Sequence, residues 1–252
     1  MIGANLTGRR VLVTGASSGI GLATVAMFAR NGATVALNHL PDDSRGPEEA
    51  ERLAAEGFSV IALPGDVSEP GAAEAMVADG IARLGGLDVL VNNAGTAGTT
   101  TPIAFEDLDA MTEDFWQTIL ATNLLGPFRC ARAAAASLKK SRGAIVNTAS
   151  VAGLGRRGSS VAYAASKAGL INLTRSLARA LAPDVRVNAV APGLVATPWT
   201  QPWSEERKAS TVGRTMLGRM ARPEDVAETI FFLAAGAAYI TGETLTVDGG
   251  AL

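Results

Sequence analysis

Three side chains in this 252-residue chain have types and spacings suited to proton transfer: Ser150, Tyr163 and Lys167. If Tyr163 opens a helix, Lys167 sits one turn further on the same face, and the pair can share a pocket. A phenol with a reference pKa of about 10 is a poor acid or base near neutrality, so an adjacent ammonium that favours phenolate is a physical means of activating it. Ser150 can then hydrogen-bond whatever oxygen the tyrosine protonates. Taken alone, Tyr-Ala-Ala-Ser-Lys is also an ordinary helix start, and the rest of the chain must decide between the readings.

Bulk properties narrow the chemistry. The length and a 48% hydrophobic content suit one large α/β domain over residues 1–252. A net charge of -2 and a pI near 5.5 give no electrostatic footprint for nucleic acid or an anionic membrane, so small molecules are the expected partners. Met1 to Arg10 lacks the apolar run of a signal peptide, and the longest apolar stretch, Ile230 to Ile240, is too short to span a bilayer; the expectation is a soluble, cytoplasmic protein. With one cysteine, Cys130, and one histidine, His39, an internal disulfide is excluded and no metal site is expected. A Ser-His-Asp hydrolase would need His39 as its base, and His39 stands far from any nucleophile motif.

The elements that must position the three residues alternate along the chain. Arg10 to Thr14 reads as a strand and runs through Gly15-Ala-Ser17-Ser18-Gly19-Ile20-Gly21 into a helical pattern from Leu22 to Asn31. There Gly15 permits the tight turn, Gly19 lets a phosphate approach the backbone beside the helix N-terminus, and Gly21 lets helix and strand pack closely. A strand at Thr34 to Asn38, a helix at Glu48 to Glu56, and a strand at Ser59 to Leu63 closed by Asp66 and Val67 come next. A helix at Glu69 to Leu84 and an apolar strand at Leu87 to Val91 follow, ending in Asn92-Asn93-Ala94-Gly95. One long helix is predicted from Thr112 to Leu138, bent at Pro127, with small residues at Ala131 to Ala136 that suit either a subunit interface or packing on the sheet. Ala144 to Thr148 is a fifth strand delivering Ser150, Tyr163 to Ala182 a helix, and Val185 to Val190 a sixth strand ending at Pro192-Gly193. The pattern loosens from Leu194 to Met220, the expected substrate lid, before a helix at Pro223 to Ala235 and a last strand at Thr244 to Val247. The succession implies right-handed crossovers and a single Rossmann-type, doubly wound parallel sheet of about seven strands flanked by helices.

Taken together, Thr14-Gly-Ala-Ser-Ser-Gly-Ile-Gly21, Asp66-Val67, Asn92-Asn-Ala-Gly95, Asn123, Ser150, Tyr163-x-x-x-Lys167, Pro192-Gly193 with Thr197, and Val247-Asp-Gly-Gly250 resemble the short-chain dehydrogenase/reductase family over essentially the whole chain. The 3-oxoacyl-[acyl-carrier-protein] reductases and glucose dehydrogenase-like members are similar in this respect. The resemblance implies NAD or NADP as cofactor, with its pyrophosphate near Gly15 to Gly21, adenine near Asp66 and Val67, and the adenosine ribose near Asn93 to Gly95. It makes Tyr163 the general acid for carbonyl reduction and Lys167 the group that lowers its pKa and holds the nicotinamide ribose. Ser150 would orient the carbonyl, Asn123 would position a relay water, Val195 and Thr197 would hold the carboxamide, and Thr148, Pro192 and Gly193 complete the implied cofactor contacts. A homotetramer built on two long helices is the family habit.

Two places depart from the pattern. His39 stands where NAD-preferring members carry an acidic residue, while Leu40 and Ser18 occupy the places of the usual NADP-binding basic residues. The reading leans to NADP, with Asn38, His39, Ser44 or Arg45 as phosphate contacts and Asp42 and Asp43 as alternative ribose ligands. Substrate selection falls to 96–109, 152–160 and 194–216, where Arg156 and Arg157 are read as a solvated pair with attraction of an anionic substrate as the alternative, Trp199 and Trp203 as pocket or interface walls, and Arg129 as a basic contact for a carrier protein. The activity expected is interconversion of a secondary alcohol with a ketone or aldehyde. Alternatives are a 3-oxoacyl thioester reductase and, from another class, a non-catalytic NAD(P)-binding regulatory protein.

Overall fold

Short runs of β-branched and aliphatic residues, apolar on both faces, belong inside a parallel sheet covered on both sides. In the computed structural model, which describes residues 4–251, seven such runs form one sheet. They are β1 (Arg10–Val13), β2 (Thr34–His39), β3 (Val60–Pro64), β4 (Val89–Asn92), β5 (Ala144–Thr148), β6 (Arg186–Pro192) and β7 (Thr244–Val247). Every pairing is parallel, in the order β3-β2-β1-β4-β5-β6-β7. This is the expected Rossmann-type, doubly wound α/β sheet. Of the domain expected over 1–252, Met1 to Gly3 and Leu252 lie outside the described residues.

The helices are α1 (Gly19–Arg30), α2 (Arg45–Ala55), α3 (Ala72–Leu84), α4 (Glu113–Leu120), α5 (Gly126–Ser141), α6 (Val161–Leu181), α7 (Glu205–Val212) and α8 (Pro223–Phe231). Alternation along β1 splits the core. Val11 and Val13 pack with Val25 and Phe28 of α1 and Ile230 and Phe231 of α8, whereas Leu12 joins Val77, Leu138 and Leu181 on the other face. The Phe28 and Phe231 rings lie 5.1 Å apart, and each fully buried large apolar side chain contributes about 1.5–3 kcal/mol.

Strand register sets the site. Val13 pairs with Leu37 and Val91, Asn92 with Asn147, Thr148 with Val190, and Pro192 with Val247, so the loops after these strands emerge on one edge. Between β1 and β4 the chain order reverses, which opens a crevice beyond the carboxyl ends of the strands.

Three predicted elements differ, one of them the helix expected over 223–235, whose α part ends at Phe231 and passes into a π turn at Phe232–Gly236. The helix predicted over 112–138 is divided by a π turn at Ala121–Leu125, and Pro127 stands at the start of α5 rather than inside one uniform helix. In α register the Asn123 carbonyl would need the N–H that Pro127 lacks, so the wider turn accommodates the proline without breaking the run. Within the loosened 194–220 segment the structure holds α7, which buries none of its residues and so presents no apolar stripe to read. Helix α6 starts at Val161, two residues before Tyr163, because Ser160 caps it.

Candidate active site

The loop after β1 is tied to the loop after β4 through one hydroxyl: Thr14 Oγ1 accepts from the amides of Asn93 and Ala94, each at 3.0 Å. The Asn93 side chain donates back to the carbonyls of Thr14 and Gly15. A Cβ on Gly15 would lie 2.7 Å from Ala94 Cα, and one on Gly21 would lie 2.4 Å from Gly15 O, so both positions exclude any side chain. Gly21 is a packing residue away from the cavity, while Gly15 and Ser17 to Ile20 border it. Ser18 caps α1 without a side-chain bond, which leaves the first helical amides open towards that space.

At the end of β2, Asn38 is fully employed inside the protein. Its Oδ1 accepts from Gly15 N, and its Nδ2 donates to Leu63 O and Gly65 O, which corrects the idea that its side chain is a phosphate contact. His39 is buried, with Nδ1 2.8 Å from Leu40 O and Nε2 without a partner. Of the four residues read as alternative contacts beyond it, Asp43 and Arg45 border the cavity, while Asp42 and Ser44 do not. Asp43 accepts from Ser17 Oγ at 2.7 Å and from Arg45 Nε and Nη2 at 2.8 Å, and the guanidinium holds its carboxyl well below the usual range. Asp66 caps the amide and hydroxyl of Ser68, and with Val67 it borders the same cavity.

The three residues of the opening motif converge at the other end. Ser150 ends the loop after β5, and Ser160 Oγ accepts from the Tyr163 amide, which fixes where that ring leaves α6. Lys167, 3% exposed, donates to Thr148 O at 2.8 Å, with its Nζ 5.8 Å from the centre of the Tyr163 ring. Burial pushes the Tyr163 phenol up to about 12, partly offset by the neighbouring Ser150 hydroxyl. Burial also brings Lys167 down to about 8. The net shift of the phenol is therefore upward, because desolvation outweighs the lowering by Ser150. Trp199 stands edge-on to Tyr163 at 5.8 Å.

Asn123 lies behind this wall, wholly buried in the π turn. Its Oδ1 accepts from Thr96 N at 2.8 Å, and its Nδ2 donates to Thr96 O and to Ser166 Oγ. The side chain is thus committed to the backbone after Gly95 and to α6. A Cβ on Gly95 would meet Asn123 Oδ1 at 3.3 Å and Lys167 Nζ at 3.4 Å.

One cavity of about 1020 Å³ joins both ends. Apart from Gly21, Asn123 and the two alternatives Asp42 and Ser44, every predicted cofactor or catalytic residue borders it, including Thr148, Pro192, Gly193, Val195 and Thr197. Two arginine readings change. Arg156 is not merely solvated, since its Nη1 lies 2.6 Å from Oδ2 of the nearly buried Asp248, an ion pair outside hydrogen-bonding direction. Arg129 does not face the entrance: it donates to Val67 O and Ser68 O, holding the loop after β3. Arg157 is as expected, largely solvated beside Glu106.

A family model described as enoyl-(acyl carrier protein) reductase matches residues 15–251. The 3-oxoacyl-[acyl-carrier-protein] reductase of Staphylococcus aureus is 37% identical over 245 residues, covering 96% of this chain and 97% of that one. The chain belongs to the short-chain dehydrogenase/reductase family. A Streptomyces violaceoruber protein provisionally named ketoacyl reductase 2 of the granaticin polyketide synthase is 42% identical, covering 95% of this chain and 94% of its own. The crystal structure of a 3-oxoacyl-[acyl-carrier protein] reductase from Brucella melitensis superposes with a TM-score of 0.87 at 34% identity, covering 98% and 92% of the two chains.

This short-chain dehydrogenase/reductase is an NAD(P)-dependent oxidoreductase. Its residues fit that cofactor on three observations: a glycine turn that no Cβ could enter, open amides at the start of α1, and the unpartnered Nε2 of His39 on the cavity wall. Sequence reasoning missed Ser160, which a capping pattern before Val161 signals, and Asp248, which the Val-Asp-Gly-Gly motif contains without revealing its partner. It also missed Arg207, whose guanidinium covers the Trp203 ring at 4.6 Å in a helix with no readable pattern.

Proposed function

We propose that this reductase interconverts a secondary alcohol with a ketone or aldehyde by hydride transfer, with Tyr163 as general acid and base. One observation carries the reading: Ser150, Tyr163 and Lys167 line a single cavity with the open glycine turn. The nicotinamide dinucleotide supplies or accepts the hydride. Ser150, whose hydroxyl lowers the Tyr163 phenol and borders the same cavity, would hold the carbonyl oxygen within reach of it. The raised pKa keeps the phenol protonated near neutrality, the form that donates in reduction. Lys167 would hold ribose hydroxyls at the position that its bond to Thr148 O fixes. Because the Asn123 side chain is committed, its contribution to a proton relay would pass through its backbone carbonyl, which Pro127 leaves without an α-helical donor.

The reading extends to NADP. Both oxygens of Asp43 are engaged with Ser17 and Arg45, so this carboxylate is not offered to a ribose hydroxyl, and the Arg45 guanidinium it anchors borders the cavity. Arg45→Gln is expected to lower kcat/KM for NADPH about 10-fold while leaving that for NADH nearly unchanged, from loss of one charged phosphate contact. A clear preference of the unaltered protein for NADH would overturn the NADP assignment.

The relatives named above as 3-oxoacyl and ketoacyl reductases favour a second reading, reduction of a 3-oxoacyl thioester. Ketones, sugars and acyl thioesters added to the NADPH complex, with nicotinamide absorbance followed, test both. Loss of absorbance with none of them would sink the reductase assignment. Cytoplasmic location and a homotetramer are part of the proposal.

A further inference from the structure

Three carboxylates border the cavity, and they are unevenly placed. Asp43 and Asp66 lie beside the glycine turn and the β3 loop, leaving Asp248 alone near the substrate end, where it is occupied by Arg156. Around the same end stand Arg157, Arg207 and Arg214. Among the described residues, Arg207 and Arg214 have no carboxylate within ion-pair distance, and the one near Arg157, Glu106, is 3.7 Å away with both side chains largely in water. Arg207 lies over the Trp203 ring at 4.6 Å, so its position is set by an aromatic face rather than by an anion. It is also lowered by burial and, after that, by the charge of Arg157, so these two cations are gathered where each repels the other.

Unpaired like charges collected at a cavity mouth cost stability unless a ligand neutralises them. We propose that Arg157, Arg207 and Arg214 form an anion-recognition site at the substrate end, and that the carbonyl substrate carries a carboxylate or phosphate group remote from the reacting carbon. This inference rests on the reductase reading and refines its substrate class. Because the guanidiniums are largely exposed, they act mainly by steering and by KM, and their effect is sensitive to salt.

Two matched pairs of probes test it: a 3-oxo acid with its methyl ester, and a 3-oxoacyl thioester of 4′-phosphopantetheine with that of pantetheine. At low salt the kcat/KM ratio of anionic to neutral probe is expected to be about 10 or more in at least one pair, the size of one charged contact. In the double variant R157Q/R207Q that ratio should fall about 5- to 10-fold through KM, and about 0.5 M salt should erode it in the unaltered protein. Preference confined to the acid pair identifies a carboxylate, and preference confined to the thioester pair identifies a phosphate. Ratios near 1 in both pairs, or ratios that the double variant leaves unchanged, overturn the proposal. Calorimetric binding of the same probes to the NADPH complex reads the preference without turnover. A protein that binds the anionic member more tightly but reduces neither would sink the reductase reading and keep the anion site; one that reduces both equally would do the reverse.

Discussion

Tyr163 can act as an acid in reduction only while it holds its proton, and burial secures this by placing the phenol at about 12. Tyr163→Phe keeps the ring and its edge contact with Trp199 but removes the donor. Turnover should fall by roughly 10²–10⁴, with NADPH affinity measured by fluorescence nearly unchanged; retained turnover would rule out Tyr163 as the acid. Lys167 pays the opposite cost. Its folded pKa of about 8 lies below the unfolded 10.5, so the unfolded chain binds more protons between those values and stability rises with pH there. Below pH 8 the whole penalty is present, about 3 kcal/mol at roughly 1.4 kcal/mol per tenfold change. Lys167→Met removes it but leaves Thr148 O without its donor, so a net gain of about 1–2 kcal/mol at pH 7 is expected. Thermal melts should show that gain shrinking as the pH approaches 10, alongside lost turnover and weaker cofactor binding. A variant less stable than the parent at pH 7 would contradict the account.

Among the elements, the strands were readable because each is a short apolar run between polar turns, and Gly15 to Gly21 was readable because its spacing reports backbone demands directly. What could not be read arose from contacts distant in sequence. Asn38 looks like a free amide at a strand end, yet Gly15, Leu63 and Gly65 claim it. The π turn depends on Pro127, but its effect falls four residues earlier, at Asn123, and α7 offers no buried stripe. Ser160 joins local structure to chemistry, since its cap bond goes to the amide of Tyr163 itself. Ser160→Ala should cost about 1 kcal/mol of stability, seen as a lower Tm, and should reduce kcat more than it raises KM for NADPH. Unchanged kcat and Tm together would show that the cap does not set the ring.

Across the whole molecule, no helix among the described residues is long and apolar enough to cross a membrane. Helix α5 has two sides: Ala131 and Ala134 are buried against the sheet, while Phe128, and Leu125 in the turn just before it, are exposed, with Arg132 5.8 Å from the Phe128 ring centre. If the proposed tetramer uses this surface, Phe128→Asp should yield smaller species by native mass spectrometry. An unchanged mass would move the interface elsewhere.

Helix α5 also works as a fixed beam between the two ends of the cavity. It follows directly on the turn that carries Asn123, and one turn along it Arg129 grips the carbonyls of Val67 and Ser68. Sliding the helix would shift the nucleotide end and the proton-transfer end together, so the span between them is held constant. Room for substrates of different length would then come from the loops that line the rest of the cavity, 96–109, 152–160 and 194–220, the last of which is tied by isolated ladder contacts of Val195 with Ala221 and Thr215 with Ala251. Recasting the substrate range of this scaffold is accordingly a matter of exchanging those loops and leaving the beam alone.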